Sequence, residues 1–268
     1  MRTSRRGSAW RWLWVVPAVG LAILLMIAAR PLKAVLTNSE PLTIKWEGAV
    51  IDMNFRDVGA SLNACLGERR FTEGVAFRAA GWFSGWSCAK VGNPDVILSL
   101  SHDPKKENYS FCSKDDGSLV IGQAFNPTWR LNDLEFLPTW QDPVVRKNTC
   151  GFFLQGFRAI AAGKRTLFHC EAGRDRTGTY AALLAGLVAE ERGMLDDRML
   201  AAIECDYHKS RSLAPKKYGR MRRLLLALKA QGGVAQFFER TCEIPPALLL
   251  AVADRMSPAE ASVPVSGK

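Results

Sequence analysis

An uncharged apolar run lies near the start of the chain, which then divides into a strand-like half and a helix-like half. Short β-prone segments predict strands near Thr43–Trp46, Ala49–Met53, Gly74–Arg78, Asp95–Leu100, Ser118–Gln123 and Thr166–His169. Apolar positions at helical spacing predict helices near Gly151–Ala162, Thr177–Arg192, Asp196–His208, Lys216–Gln231 and Pro245–Arg255. This order points to an α/β fold with a central, mainly parallel sheet flanked by helices, in one domain over residues 40–256. The turn-rich stretch Cys88 to Pro127 fits either a hairpin or a surface excursion.

The opening run, Trp12 to Ala29, is 18 residues long and is headed by Trp10, Trp12 and Trp14. As a helix it would reach about 27 Å, close to a bilayer's hydrocarbon core, with the tryptophans at the interface. Residues 1–34 therefore read as a membrane anchor, an N-terminal transmembrane helix. A cleaved signal peptide is the alternative, but its apolar region is ordinarily shorter, at about 7–15 residues. Arg2, Arg5, Arg6 and Arg11 precede the run, and Arg30 and Lys33 follow it. The positive-inside rule then places the start in the cytoplasm and the domain on the outer face of an inner (cell) membrane; a cytoplasm-facing domain is the alternative. Residues 257–268, rich in Ser, Pro and Ala, read as a disordered tail.

The chemistry concentrates in His169-Cys170-Glu171-Ala172-Gly173-Arg174-Asp175-Arg176-Thr177-Gly178. A strand precedes this segment and a helix follows it. Its backbone N–H groups and the positive end of the helix therefore converge on one point, which makes an anion site. The same field favours thiolate over thiol, so Cys170 is expected to be the nucleophile. Residues Glu171 to Arg176 form the phosphate-binding loop, and the planar fork of Arg176 suits two phosphate oxygens. Gly173 lets the backbone curl close to the anion. Thr177 is placed to assist the leaving sulfur. His169 is expected to orient the loop through hydrogen bonds rather than to act as the base of a Cys-His pair, because neighbours on a strand point to opposite faces.

These residues resemble the signature HCxxGxxR(S/T)G of the cysteine-dependent protein tyrosine phosphatase superfamily. Asn54-Phe55-Arg56-Asp57-Val58-Gly59 and Gly74-Val75-Ala76-Phe77-Arg78-Ala79-Ala80 are similar to two blocks of its bacterial tyrosine and dual-specificity branch. Asp206-Tyr207 and Gly233 to Phe238 resemble that branch's later blocks. Two departures stand out. Where the branch carries Asp-Leu-Arg, this chain has Val96-Ile97-Leu98-Ser99-Leu100-Ser101, and it has Arg174 in the place of a lysine. The resemblance implies a tyrosine-phosphatase-like fold and a two-step reaction through a phosphocysteine.

Such a reaction needs a carboxyl group to protonate the leaving oxygen. Asp142, in Trp140-Gln141-Asp142-Pro143, resembles the superfamily's acid loop; read on its own it is an Asx turn before proline. Asp175 in the phosphate loop is the other main candidate, and Asp133 and Asp103 are further ones.

Seven cysteines leave six once Cys170 is set aside, an even number compatible with three disulfides or with reduced thiols. No Cys/His spacing suggests a metal, and no cofactor is implied. The formal charge of +10 draws on Lys209, Arg211, Lys216, Lys217, Arg220, Arg222 and Arg223, read as a solvated face or as a basic surface beside the site. No nucleic-acid motif accompanies it. The expected partner is a phosphorylated protein or a phospholipid head group. A non-catalytic phosphate-binding module and a rhodanese-like sulfurtransferase are the readings from other classes. The first would ordinarily lack Cys170 or Arg176, and the second lacks the Arg-Thr-Gly ending.

Overall fold

A computed structural model of the chain describes residues 54–80, 86–100, 110–113, 119–121, 123–124, 134–170, 172–211 and 213–257. All of them belong to Thr43–Lys268, the second of two units into which the chain divides. Among the described residues no helix is long and apolar enough to cross a membrane. The expected span Trp12 to Ala29 lies outside them, as do Glu171, Asp103, Asp133 and the two earliest predicted strands.

Five strands form the central sheet: β1 (Arg56–Asp57), β2 (Ala76–Ala80), β4 (Val96–Ser99), β7 (Gln123–Ala124) and β8 (Thr166–Cys170), in the order β1-β2-β8-β4-β7. Only β1 runs antiparallel to its neighbour; the β2–β8, β8–β4 and β4–β7 pairings are parallel. The middle strand, β8, is buried at all five positions, as a parallel strand covered on both faces must be. Its register sets Cys170 opposite Ala80 and His169 opposite Ser99, at the carboxyl ends of three parallel strands. A second sheet joins β3 (Trp86–Ser87), β5 (Ser110–Ser113) and β6 (Leu119–Ile121). The β5–β6 pair is antiparallel, so the hairpin reading of the Cys88 to Pro127 stretch holds for these strands.

The helices are α1 (Val58–Leu66), α2 (Pro143–Ala161), α3 (Asp175–Glu191), α4 (Asp197–His208), α5 (Arg220–Ala230), α6 (Val234–Cys242) and α7 (Pro246–Met256). Every residue of α3 from Thr177 to Ala189 is buried, which is why its sequence shows no polar face. Tyr180 stacks on Phe153 at 4.5 Å and meets the tilted Phe168 ring of β8 at 4.2 Å, which locks α2, α3 and the central strand together. Disulfides tie α1 to α4 (Cys65–Cys205), the 3₁₀ turn after β3 to β5 (Cys88–Cys112) and α2 to α6 (Cys150–Cys242). Cys170 is the one free cysteine.

Several sequence-based boundaries move. The helix expected from Gly151 begins at Pro143, because Asp142 caps it and proline suits its first turn. The helix expected over Lys216–Gln231 is a short 3₁₀ turn, Pro215–Lys217, and then α5, whose start is capped from α4: Glu204 accepts from Gly219 N and Arg222 N. Ser257, assigned to the tail, belongs to the domain: its hydroxyl donates to the Arg70 carbonyl at 2.6 Å.

Candidate active site

Cys170 ends β8, and the loop after it enters α3 at Asp175. The carbonyls of this loop are held from outside. Asn54 Nδ2 donates to the Ala172 carbonyl at 2.6 Å, and Arg78 Nη2 donates to the carbonyls of Gly173 at 3.1 Å and Arg174 at 3.3 Å. In a trans peptide the N–H points opposite to the carbonyl. The N–H groups of Gly173, Arg174 and Asp175 therefore turn away from these clamps, the arrangement of an anion-binding nest. Gly173 has φ +63° and lies flat against β2, where a Cβ would meet the Ala79 carbonyl carbon at 2.6 Å. Gly178 has no such room either: a Cβ there would meet the Tyr207 ring at 2.6 Å.

The clamps are themselves held. Fully buried Arg78 pairs with Asp206 Oδ2 through Nη1 at 2.5 Å, and Arg56 Nε reaches Asp206 Oδ1 at 2.6 Å. Ser61 Oγ donates to the same Oδ1 at 2.6 Å. Burial alone would raise the Asp206 carboxyl, but the two guanidinium groups and these hydrogen bonds hold it well below the usual carboxylate range. Burial, followed by the charge of Arg56, lowers Arg78 to about 10, which leaves it cationic at neutral pH; the Cys170 charge acts in the opposite direction. Asn54 Oδ1 accepts from Arg211 N at 2.6 Å. The motif Asn54 to Gly59 and the pair Asp206-Tyr207 thus meet beneath the phosphate loop.

The remaining candidates are placed as follows. Arg176 Nη1 donates to the Leu100 carbonyl at 2.7 Å, at the end of β4 where the resembled branch carries Asp-Leu-Arg. The Thr177 hydroxyl is buried without a hydrogen-bond partner. His169 is fully buried, its Nδ1 lying 3.4 Å from the Cys170 carbonyl oxygen. Both carboxylate oxygens of Asp175 are engaged, Oδ1 by the Tyr207 hydroxyl at 2.9 Å and Oδ2 by Lys217 Nζ at 2.5 Å. Burial pushes Asp175 up, yet the Lys217 bond and charge, with Tyr207, bring it below its ordinary value. Asp142 is exposed at the head of α2, where its Oδ1 accepts from Val144 N and Val145 N at 2.8 and 3.2 Å. Trp140 beside it is buried, donating to the Leu134 carbonyl at 3.0 Å and meeting Phe237 edge-on at 4.9 Å.

Sequence reasoning passed over Glu135. Its carboxyl is buried, ion-paired to Arg220 through Oε1, and its Oε2 has no partner. Of the basic cluster, Lys217 and Arg220 are partnered within the fold by Asp175 and Glu135, and Arg222 pairs with Asp197 at the surface. Among the described residues no group of three or more His, Cys, Asp or Glu is placed to hold a metal ion.

The central parallel strand thus ends on a cysteine and passes into a buried helix through a loop whose amides face away from its clamps, an arrangement suited to an anion. Residues 141–259 match the model of the tyrosine phosphatase family, and the chain carries a phosphatase domain of the protein tyrosine phosphatase-like superfamily. No curated protein matches the chain. The match takes in β8, the phosphate loop and all helices from α2 onward. Asn54, Arg56 and Arg78 lie before it, yet their side chains bond the loop or its support.

Proposed function

We propose that the protein hydrolyses phosphate monoesters through a phosphocysteine at Cys170, and that its substrates are phosphotyrosine or mixed-specificity phosphoproteins. The nest over Gly173 to Asp175 carries this reading: three consecutive amides turn away from the Asn54 and Arg78 clamps, beside the cysteine at the end of β8. Phosphate would sit on these N–H groups and on those of the loop as a whole, Glu171 to Arg176. The Cys170 sulfur attacks phosphorus, an S–P bond forms and the ester P–O bond breaks. Arg176 stabilises the charge that spreads over the equatorial oxygens. Water then attacks phosphorus, the P–S bond breaks, and Thr177 donates its hydroxyl to the departing sulfur.

A phospholipid head group is the second reading. It is favoured by exposed Phe136 and Tyr218, at 51% and 48%, and by exposed Lys216 two residues before Tyr218. We further infer that Trp12 to Ala29 tethers the domain to the inner membrane with the active site outside the cytoplasm. The three disulfides support that side, because such bonds persist in oxidising compartments.

Phosphate release from an aryl ester, phosphotyrosyl peptides and anionic vesicles, compared with Cys170→Ser, tests the reaction and its target together. The expected outcome is release from the aryl ester and the peptides, abolished in the variant. Release from vesicles alone would transfer the assignment to lipid, and none from any substrate would leave a binding module. A reporter fused after Lys268 tests the orientation.

A further inference from the structure

Asp175 stands in the first turn of α3, at the positive end of the helix on which the nest amides also converge. The carboxylate and a bound phosphate draw on the same field, and an uncompensated anion there would repel a phosphate dianion. The two Asp175 oxygens are covered by donors of different charge. The Tyr207 hydroxyl, which is neutral, donates to Oδ1 at 2.9 Å, and the Lys217 ammonium donates to Oδ2 at 2.5 Å. Both side chains of this ion pair are sheltered, at 21% exposure for Lys217 and 16% for Asp175, so salt screens it less than a surface pair.

Lys217 is held at the loop by its own turn as well as by Asp175. Lys217 N donates to the Ala214 carbonyl at 2.8 Å, and Tyr218 N to the Pro215 carbonyl at 3.0 Å. The Tyr218 ring packs on His208 at 4.1 Å, Gly219 N donates to Glu204 Oε1 at 2.6 Å, and Arg220 pairs with Glu135. The turn is thus fastened to α4 on one side and to residue 135 on the other. The remaining charged groups about Asp175 are Arg174, which precedes it, and Glu135, whose charge Arg220 partners. Burial pushes the Asp175 carboxyl up, but the Lys217 bond and charge, then Tyr207 and Arg174, bring it below its ordinary value. Asp175 is therefore an anion at neutral pH, and its charge needs an answer.

We propose that Lys217 is a positioning residue of the phosphate site, whose ammonium group cancels the Asp175 charge and so lets the loop accept a doubly charged phosphate. This deepens the reading of the loop as a phosphate site and rests on it. Tyr207 holds the other carboxylate oxygen without adding charge. The cation that tunes the anion site comes from the turn before α5, 42 residues from Asp175.

Protection of Cys170 from iodoacetamide by inorganic phosphate reads the affinity of the site without requiring turnover. Lys217→Gln keeps a polar side chain and removes the charge, so phosphate should protect about 10-fold more weakly. Asp175→Asn removes the opposing charge and leaves the ammonium free to face the ligand, so phosphate should protect about 10-fold more tightly. The double variant should return to within about 3-fold of the wild type, and Lys217→Arg, which keeps the charge, should match it equally well. These differences should shrink at about 1 M salt. A pair with a merely structural role gives another pattern, in which both single variants weaken protection and the double variant is no better. That pattern, or unchanged protection in both single variants, would overturn the proposal. Because the two single variants are expected to move in opposite directions, either one that folds decides the sign. A wild-type thiol that phosphate does not protect would sink the phosphate-site reading and this proposal together. Opposite signs without hydrolysis of any ester would uphold the proposal and remove only the phosphatase reading.

Discussion

Arg78 and Asp206, 128 residues apart, share a buried ion pair whose guanidinium also holds two carbonyls of the phosphate loop. One side chain on β2 thus couples the C-terminal helices to the shape of the anion site. Removing one partner of a buried pair costs more than the pair contributes, because the other charge is left in the interior.

Asp206→Asn should therefore destabilise the domain by about 3–5 kcal/mol, read by urea unfolding. Its acid dependence should change as well. The folded carboxyl lies below its unfolded value, so its contribution is complete above the ordinary carboxylate range and is lost as pH falls towards the lowered value. The wild type should lose stability through that window, and Asp206→Asn should lose less there.

Asn54→Ala removes one clamp without burying a charge. The Ala172 carbonyl loses its partner, and the loop gains freedom. Inorganic phosphate, measured as an inhibitor, should bind about 5–30-fold more weakly, the equivalent of about 1–2 kcal/mol. Unfolding should shift less than in Asp206→Asn.

Gly178→Ala should drive Tyr207 off Asp175. The added methyl would meet a ring carbon at 2.6 Å on a side chain that is 1% exposed. A stability loss of about 1–3 kcal/mol is expected, with a lower kcat on aryl phosphates. Unchanged kcat would show that the Tyr207–Asp175 bond has no part in turnover.

Arg176→Lys keeps the charge and loses the planar fork, so kcat/KM should fall by about 10²–10³-fold with the fold intact. Circular dichroism and melting temperature check the second half of that statement.

Breaking Cys65–Cys205 by a double substitution to serine should cost about 2–5 kcal/mol, because this bond closes a loop with a sequence separation of 140. Reductant should lower the melting temperature of the wild type in the same direction. Matching melts with and without reductant would count against this bond's contribution.

The central strand, the loop after Cys170 and the helix that follows were legible because their signals are local. Cys170, Gly173 and Arg176 stand at fixed spacing, and β8 is a short apolar run before a buried helix. The start of α2 carried its signal too, Asp142 before Pro143, but the same residues also resembled an acid loop. Other boundaries were set at a distance. Glu204 of α4 caps α5, and Glu190 of α3 accepts from Val234 N and Ala235 N to start α6. No window of sequence around α5 or α6 contains those caps. Glu135 had no signal of its own: its ion-pair partner Arg220 lies 85 residues away, and only the fold brings the two together.

With six of the seven cysteines tied in disulfides, the intact protein presents a single thiol, and that thiol is the proposed nucleophile. Alkylation stoichiometry therefore doubles as an active-site count. One equivalent that phosphate protects reports functional enzyme, and anything above one reports reduced protein. The same arithmetic leaves an oxidised Cys170 without a thiol of its own chain to rescue it, so its recovery would depend on an external reductant.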